Sequence, residues 1–399
     1  MFNFAKYFFC EVIFLERTFY ELLTEIAYGL VVKEETYNKN RDNEFGYFQQ
    51  PELISAIQKF ALMMLKMNIL DEKSIPIAPK NETDALLNYF SLPLEEWPPT
   101  ANENFYFHYG FDAEDFLVYM YKDNTMFYTT DWCRELADEC KKYNQNTMQN
   151  MVFQEMFNTE PHQYVFLRKF IVENLLIGLK ENRDFLKMGK DIGLDNTFLK
   201  NFIDLAYEPF SSNVIGQCGY CGWTVTKDRI KLRCIDYRCS GETDGFLKMT
   251  KLAIANDFED AKAPVLRLNA GVMKYICLPG KDELAIQKFC DPEHSKTELW
   301  PDKDRYDLKI EIAGEILAVD VKSFRHPYSL KYNIEQKGIF NKLYPNEKPF
   351  LIIPNDRLRK NGYIDIVKQA LPVSKEITCI SMKEFEHMIK RKEAKKDDR

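Results

Sequence analysis

The chain lacks the features that mark a membrane protein or a repeat protein. Across its 399 residues no uninterrupted apolar run approaches the roughly eighteen residues of a membrane span, and no repeat of solenoid period occurs. Residues 1–15 are apolar, but Glu11 interrupts them and no small-residue cleavage site follows, which argues against a secretory signal. These absences predict a soluble protein of the cytoplasm.

An excess of positive charge is also missing. The formal net charge is −7 and the pI is about 5.5, so no overall attraction draws the chain to nucleic acid, and binding would depend on local basic groups. Such groups occur around a set of cysteines and after residue 322: Lys227, Arg229, Lys231, Arg233, Arg238, Arg325, Lys331, Lys337 and Lys342. A solvated surface is the ordinary role of any single one of them.

Six of the ten cysteines have no paired spacing: Cys10, Cys133, Cys140, Cys277, Cys290 and Cys379. They predict reduced thiols in a cytosolic protein rather than a disulfide framework.

The other four cysteines form two pairs. Cys218 and Cys221 are followed after twelve residues by Cys234 and Cys239. Four thiolates suit tetrahedral Zn²⁺ and leave no open position, so the spacing predicts a structural zinc site in a ribbon or knuckle. Two disulfides, or cysteines that only pack, are the competing interpretations. A zinc module here would either grip nucleic acid through the nearby basic residues or join two domains.

Residues 1–210 carry apolar residues at the three-four spacing of amphipathic helices. The predicted helices are Phe19–Val32, Pro51–Met67, Glu82–Phe90, Ala113–Tyr121, Asp131–Tyr143, Tyr164–Leu179 and Asn196–Ala206. This half contains no catalytic constellation, and His108 and His162 are isolated. We expect an all-helical scaffold that docks a partner or positions nucleic acid.

A predicted β-hairpin over residues 306–322 concentrates the chemistry. Residues 306–312 alternate apolar and polar side chains, Ala-Gly-Glu reverses the chain, and residues 316–322 form a more apolar strand. The apolar character of the second strand predicts a central place in the sheet. Asp320 and Lys322 are two residues apart and therefore point to the same face, where burial makes both costly.

Paired carboxylates beside a lysine suit metal-dependent phosphodiester hydrolysis. Hard cations such as Mg²⁺ take oxygen ligands, which Asp307, Asp320 and the carbonyl of Val321 could supply. Lys322 would position water or stabilise negative charge in the transition state. The alternative is ordinary, because an Asp-x-Lys sequence in a strand often has no catalytic role.

The order of predicted elements around the hairpin favours the catalytic interpretation. An acidic helix containing Glu283 precedes it, with Pro-Gly as a helix start. The elements after it are a helix Tyr328–Leu343, a strand Phe350–Ile353, a helix Tyr363–Leu371, a strand Ile377–Ile380 and an amphipathic helix from Lys383. The whole predicts an αβββαβ-like order.

These residues resemble the PD-(D/E)XK superfamily of restriction-endonuclease-like nucleases. The resemblance implies Glu283, Asp307, Asp320 and Lys322 as the catalytic set, with Tyr306 in place of the motif's proline. Over residues 264–371 the chain also resembles the restriction-endonuclease component of prokaryotic PIWI and helicase defence islands. The motifs that carry this narrower resemblance are Leu278-Pro279-Gly280 with Glu283, Leu299-Trp300-Pro301 with Asp304, Tyr306-Asp307-Leu308, Ala318–Lys322 and Ile353–Arg357.

We therefore expect an α+β protein with a helical region at 1–210, a zinc-binding module at 211–262 and a restriction-endonuclease-like nuclease domain at 263–399. The predicted activity is Mg²⁺- or Mn²⁺-dependent cleavage, with DNA as the expected substrate, in antiviral or anti-plasmid defence. The alternatives are a catalytically silent, zinc-containing subunit of a defence complex and an RNase. DNA, a helicase or PIWI-type protein, and a second copy of the chain are the candidate partners.

Overall fold

The computed structural model describes residues 19–34, 36, 51–66, 90–97, 116–120, 127–138, 140, 148–209, 214–227, 232–234, 249–250, 265–324, 327–358 and 362–397. The chain divides into two compact units, Met1–Gln145 and Asn146–Arg399. In the part of the chain that the structure describes, no helix is both long enough and apolar enough to cross a membrane.

The first unit combines helices with a short antiparallel strand pair. Its elements are α1 (residues 19–34), α2 (Pro51–Lys66), β1 (Val118–Met120), β2 (Phe127–Thr129) and α3 (Asp131–Asp138). Apolar residues of these elements form its core, and the buried Glu34 carboxylate of α1 contacts both β2 and α3. Glu34 Oε2 accepts hydrogen bonds from the backbone N–H of Thr129 at 3.1 Å and from Arg134 at 2.9 Å.

The expectation of an all-helical region over residues 1–210 is wrong, because the residues described there include four short strands between Val118 and Pro209. The predicted helix Ala113–Tyr121 contains β1 instead, which pairs with β2 from Val118↔Thr129 to Met120↔Phe127. Val118 is β-branched and Tyr119 is aromatic, residue types that favour a strand when a pairing partner is close. Most of the predicted helix Glu82–Phe90 lies outside the described residues.

The second unit begins with four helices. They are α4 (Met148–Phe157), α5 (Pro161–Glu173), α6 (Leu179–Asp191) and α7 (Asn196–Ala206). Asp195 caps α7 by accepting hydrogen bonds from the N–H groups of Thr197 and Phe198 at 3.2 Å each. The predicted bounds of α7 match the observed ones, whereas the predicted helix Tyr164–Leu179 stops at Glu173 and continues as a strand.

Two small sheets accompany the helices, and the first of their strands lies between α5 and α6. Their strands in chain order are β3 (Leu176–Ile177), β4 (Tyr207–Pro209), β5 (Val214–Cys218), β6 (Thr224–Lys227), β7 (Leu232–Arg233), β8 (Met249–Thr250) and β9 (Leu266–Leu268). One sheet has the order β3-β9-β4 and the other β7-β6-β5-β8. Because β9 lies between β3 and β4, the segment that leads into the last third of the chain is hydrogen-bonded to the helical part.

A long helix, α8, then leads to the main sheet. It comprises an α-turn Ala270–Val272, a π-helical turn Met273–Cys277 and an α-segment Leu278–Gln287. The helix thus begins at Ala270 rather than at the predicted Pro-Gly start, because Asn269 caps the first turn by accepting from the N–H of Val272 at 2.9 Å.

The main sheet has five strands in the order β10-β11-β12-β13-β14. Its elements are β10 (Ser295–Leu299), β11 (Leu308–Ile312), β12 (Glu315–Val321), α9 (Pro327–Lys337), β13 (Glu347–Ile353), α10 (Tyr363–Lys368), β14 (Thr378–Ser381) and α11 (Met382–Asp397). The first three strands are antiparallel, and β12, β13 and β14 are parallel. The α+β class and the central place of β12 agree with the sequence prediction, whereas β10 is a strand that the prediction did not name.

Helices cover both faces of this sheet. Residues of α8 and α11 pack on one face and residues of α9 and α10 on the other. The first of these cores also contains Val152, Leu167 and Phe202 from the helices at the start of the unit. One continuous apolar core therefore joins the helical part to the sheet.

Candidate active site

Asp307 and Asp320 meet at the end of the β11–β12 hairpin. The pairing Leu308↔Val319 places the residue before β11 opposite Asp320, next to the end of β12. Both carboxylates are buried, with exposed fractions of 9% for Asp307 and 8% for Asp320. Asp307 Oδ2 accepts a 2.6 Å hydrogen bond from the N–H of Val321, which fixes one carboxylate oxygen on the hairpin.

Lys322 follows β12 directly. Its backbone N–H donates to the carbonyl of Ile352 at 3.0 Å, and its Nζ donates to Asp320 Oδ1 at 2.5 Å. Burial lowers the pKa of Lys322, but the Asp320 and Asp307 carboxylates outweigh it and hold that pKa above its usual value. The ammonium therefore stays charged beside the two aspartates.

Glu283 adds a third carboxylate from α8. It is 2% exposed, and α8 packs against β10 and β12. Arg168 Nη2 donates to both of its oxygens, at 2.9 Å and 3.0 Å, and the indole N–H of Trp300 donates to Oε2. Burial raises the pKa of Glu283, while the charge of Arg168 opposes that rise.

The electrostatics of this cluster suit a divalent cation. Burial, together with the neighbouring Glu283 and Asp320, holds the pKa of Asp307 well above its usual value. Glu283, Asp307 and Asp320 are all buried, the charges of Glu283 and Asp320 act on Asp307, and Lys322 is the cation that contacts Asp320. Oxygen donors of this kind are the ligands that Mg²⁺ and Mn²⁺ prefer, and a bound dication would relieve the repulsion among them.

Arg168 is a residue of this site that was not predicted from the sequence. It lies on α5, more than a hundred positions before the hairpin, and is 3% exposed. Besides Glu283 it forms an ion pair with Asp304, which also accepts a 2.6 Å hydrogen bond from the hydroxyl of Tyr164. A signal was available: Arg168 is a charged residue beside Leu167 and Ile171 on the apolar side of a predicted helix, where an unpaired charge is too costly to bury.

The predicted zinc ligands are brought together as far as the structure describes them. Cys218 ends β5, Cys221 lies in the turn after it and Cys234 follows β7; their Sγ atoms lie within 4.8 Å of one another. Thiolates about 2.3 Å from one tetrahedral ion stand about 3.8 Å apart, so this spacing fits zinc. The described cysteines are thiols rather than disulfides. Cys239 lies outside the described residues.

Several other predicted features also lie outside the described residues. Among the basic candidates these are Arg229, Lys231, Arg238 and Arg325, and His108 is another. Lys337 and Lys342 are exposed, which fits the solvated role.

Comparison with known proteins gives one family match. Residues 280–397 match the family model described as "REase associating with pPIWI_RE". No curated protein matches the chain. The matched segment contains Glu283, Asp307, Asp320 and Lys322, whereas Arg168 and the cysteine cluster lie before it. The match supports a restriction-endonuclease-like component of PIWI-linked systems over this part of the chain.

Proposed function

We propose that this protein is a metal-dependent nuclease of the PD-(D/E)XK type. The observation that carries the proposal is the buried pair Asp307 and Asp320 with the Lys322 ammonium at one end of a mixed sheet, and with the buried Glu283 carboxylate near enough for its charge to act on Asp307. Burying carboxylates of like charge close together lowers the stability of the folded protein. Clusters of this kind occur mainly at functional sites, and a bound cation would offset their repulsion. The family match over residues 280–397 supports the same class of activity.

Asp307 and Asp320 are the residues that would hold Mg²⁺ or Mn²⁺. The ion, when bound, supplies Lewis-acid polarisation of the phosphoryl oxygens and lowers the pKa of water. Asp307 keeps one oxygen on the N–H of Val321 and presents the other to the cluster. Lys322 keeps its proton and offers a positive charge to the phosphate as negative charge develops there. Glu283 adds a further carboxylate to the site, on the side formed by α8.

DNA is the proposed substrate, and the proposed setting is defence in the cytoplasm alongside a PIWI-type protein. The matched family is described by its association with pPIWI_RE, which makes such a protein the first partner to test, with a helicase and a second copy of the chain after it. Metal-assisted hydrolysis acts on the phosphate, so the cluster itself does not distinguish DNA from RNA.

The test is cleavage of labelled plasmid, linear duplex, single-stranded DNA and RNA with Mg²⁺, Mn²⁺ or EDTA. The native protein should cut DNA only with metal, and Asp320→Ala and Lys322→Ala should abolish cutting. Lys383→Ala, on the exposed start of α11, is a control that should cut normally. Cleavage of RNA alone would replace the DNA proposal with the RNase one. A native protein that stays inert even with the PIWI-type partner would instead support a silent subunit.

We also propose a structural zinc ion held by Cys218, Cys221, Cys234 and Cys239. Its module is attached to the rest of the second unit: the indole N–H of Trp223 donates to the carbonyl of Leu268 at 3.1 Å, and Lys281 Nζ donates to the carbonyl of Cys221. Because Lys281 lies on α8, two residues before Glu283, these contacts favour a module that joins parts of the fold over one that grips nucleic acid.

Purified protein is expected to contain about one zinc per chain. Cys221→Ser should lose the metal and lower the unfolding temperature, because zinc-binding energy in such modules is folding energy. Cys379→Ser, at a buried cysteine on β14, is the matched control and should keep its zinc. Elemental analysis and thermal unfolding make the comparison, and a folded native protein without zinc would contradict the proposal.

A further inference from the structure

Arg168 makes several polar contacts with residues of the candidate active site. Its guanidinium lies 4.5 Å from the ring centroid of Trp300, binds both oxygens of Glu283 and forms an ion pair with Asp304. Tyr164, one turn earlier on α5, holds the other oxygen of Asp304. Two residues of α5 thus contact both carboxylate oxygens of Asp304, which belongs to the segment that leads into β11.

These contacts fix the orientation of the Glu283 carboxylate. Arg168 Nη2 lies within hydrogen-bond distance of both Glu283 oxygens, and the indole N–H of Trp300 is a further donor, so the carboxylate has little freedom to rotate. Trp300 is itself tied to the hairpin, because its backbone N–H donates to the carbonyl of Asp307 at 2.8 Å. The chain of contacts therefore runs from α5 through Glu283 and Trp300 to Asp307.

We propose that Arg168 is a positioning residue of the nuclease site, supplied by α5 from outside the segment that matches the nuclease family. It acts through Glu283, because its contacts set the orientation of the Glu283 carboxylate relative to the Asp307–Asp320 pair. The inference rests on the proposed function and deepens it: the catalytic arrangement extends into the helical part of the chain. A lysine would keep the charge, but its single nitrogen could not bind Glu283 and Asp304 together as Nη2 and Nη1 of Arg168 do.

A purely structural ion pair is the competing explanation, and the same unit contains one for comparison. Arg305 Nη2 donates a hydrogen bond to Glu347 Oε1 at 2.8 Å. The guanidinium carbon of Arg305 lies 3.9 Å from the ring centroid of Tyr344. Both side chains are buried, with exposed fractions of 8% for Arg305 and 2% for Glu347. Glu347 pairs with Ile316, four residues from Asp320 along β12, or about 13 Å at the rise of a strand. This pair has the same chemistry, and Arg305 lies only two residues before Asp307, but its carboxylate partner is Glu347 rather than Glu283.

The experiment compares Arg168→Met, Arg168→Lys and Arg305→Met in the full chain, at a temperature where thermal unfolding shows all of them folded. Both methionine variants should lower the unfolding temperature. Only Arg168→Met should lower kcat, by about 10-fold to 100-fold, with little change in KM for DNA, because it releases a group that orients a catalytic carboxylate. Arg168→Lys should fall between native protein and Arg168→Met.

A second readout does not depend on turnover. Titration calorimetry with Mn²⁺ should show weaker binding to Arg168→Met than to native protein and unchanged binding to Arg305→Met. In a Glu283→Gln background, Arg168→Met should cause no further loss of kcat, since the two residues act as one unit.

Two failures can be told apart. Equal loss of kcat and of Mn²⁺ affinity in Arg168→Met and Arg305→Met, or additive losses with Glu283→Gln, would overturn the positioning role while leaving the nuclease intact. A native protein that neither cleaves nucleic acid nor binds Mn²⁺ would overturn the proposed function, and this inference with it.

Discussion

Asp307→Asn is expected to lower the cleavage rate by about 1000-fold, the upper range for loss of one group that stabilises developing charge. The amide has the same shape, and its oxygen can still accept the hydrogen bond from Val321, so the hairpin should persist. What is lost is the negative charge that a dication requires. Single-turnover cleavage with saturating Mg²⁺ measures the effect, and a loss of less than about 10-fold would remove Asp307 from the metal site.

The same substitution should stabilise the metal-free protein by about 1–3 kcal/mol at neutral pH, the cost of a poorly compensated buried polar group. Asp307 has a pKa in the folded protein that burial, Glu283 and Asp320 raise above its unfolded value. The folded state then binds more protons, so the free energy of unfolding of native protein falls as pH rises above about 4, where the unfolded aspartate ionises.

Asparagine cannot ionise, and its contribution does not change with pH. The stability advantage of Asp307→Asn over native protein should therefore be small near pH 4, grow towards pH 8 and shrink when Mn²⁺ is added to native protein. Denaturant unfolding at several pH values with EDTA tests this sign. A stability advantage of Asp307→Asn that grew as the pH fell would show that the pKa of Asp307 is not raised in the folded protein.

The second large effect concerns the predicted nuclease domain, residues 263–399, which is expected not to fold when expressed alone. A chain that begins at residue 263 lacks Arg168, so the Glu283 carboxylate is left without the guanidinium group that pairs with it. Loss of one partner of a buried ion pair typically costs about 3–5 kcal/mol of stability. Such a chain also lacks β3 and β4, the two hydrogen-bonding neighbours of β9. The apolar core shared with α4, α5 and α7 would be exposed as well. These losses together match the whole stability of a typical domain.

Residues 146–399 are the control, because they contain both sides of every one of these contacts. This fragment should unfold cooperatively with heat and resist limited proteolysis, whereas residues 263–399 should be digested and aggregate. Cooperative unfolding of the shorter fragment would show that the contacts with Arg168, β3 and β4 are dispensable for folding.

The hairpin and the meeting of Asp307 with Asp320 could be predicted because both depend on local pattern. Alternation of Leu308, Ile310 and Ile312 fixes which side of β11 is buried, and a short turn fixes the register with β12. Each of these steps spans few residues, so periodicity and turn chemistry determine it. Glu283 lies on α8, with β10 between it and the hairpin, and it was predicted from the resemblance to a known superfamily.

Arg168 could not be placed in the same way, because its partner is distant in sequence and no periodicity links α5 to α8. The same reason hides the position of β9 between β3 and β4, and the strand β1 where apolar spacing predicted a helix. Close approach of α5 to α8 is visible only afterwards: a Cβ at Gly280 would overlap the side chain of Val172. Long-range packing overrides local propensity at these points.

The π-helical turn Met273–Cys277 has a consequence for insertions and deletions in α8. A π-turn closes with one residue more than an α-turn, so removing one residue there would restore an ordinary α-turn and leave the flanking segments facing as before. Beyond Cys277 no such slack exists. Removing one residue between Leu278 and Glu283 would turn the carboxylate by about 100° around the helix axis, away from Arg168 and from the sheet. Evolution or engineering can thus alter the length of this helix before Leu278, but not after it.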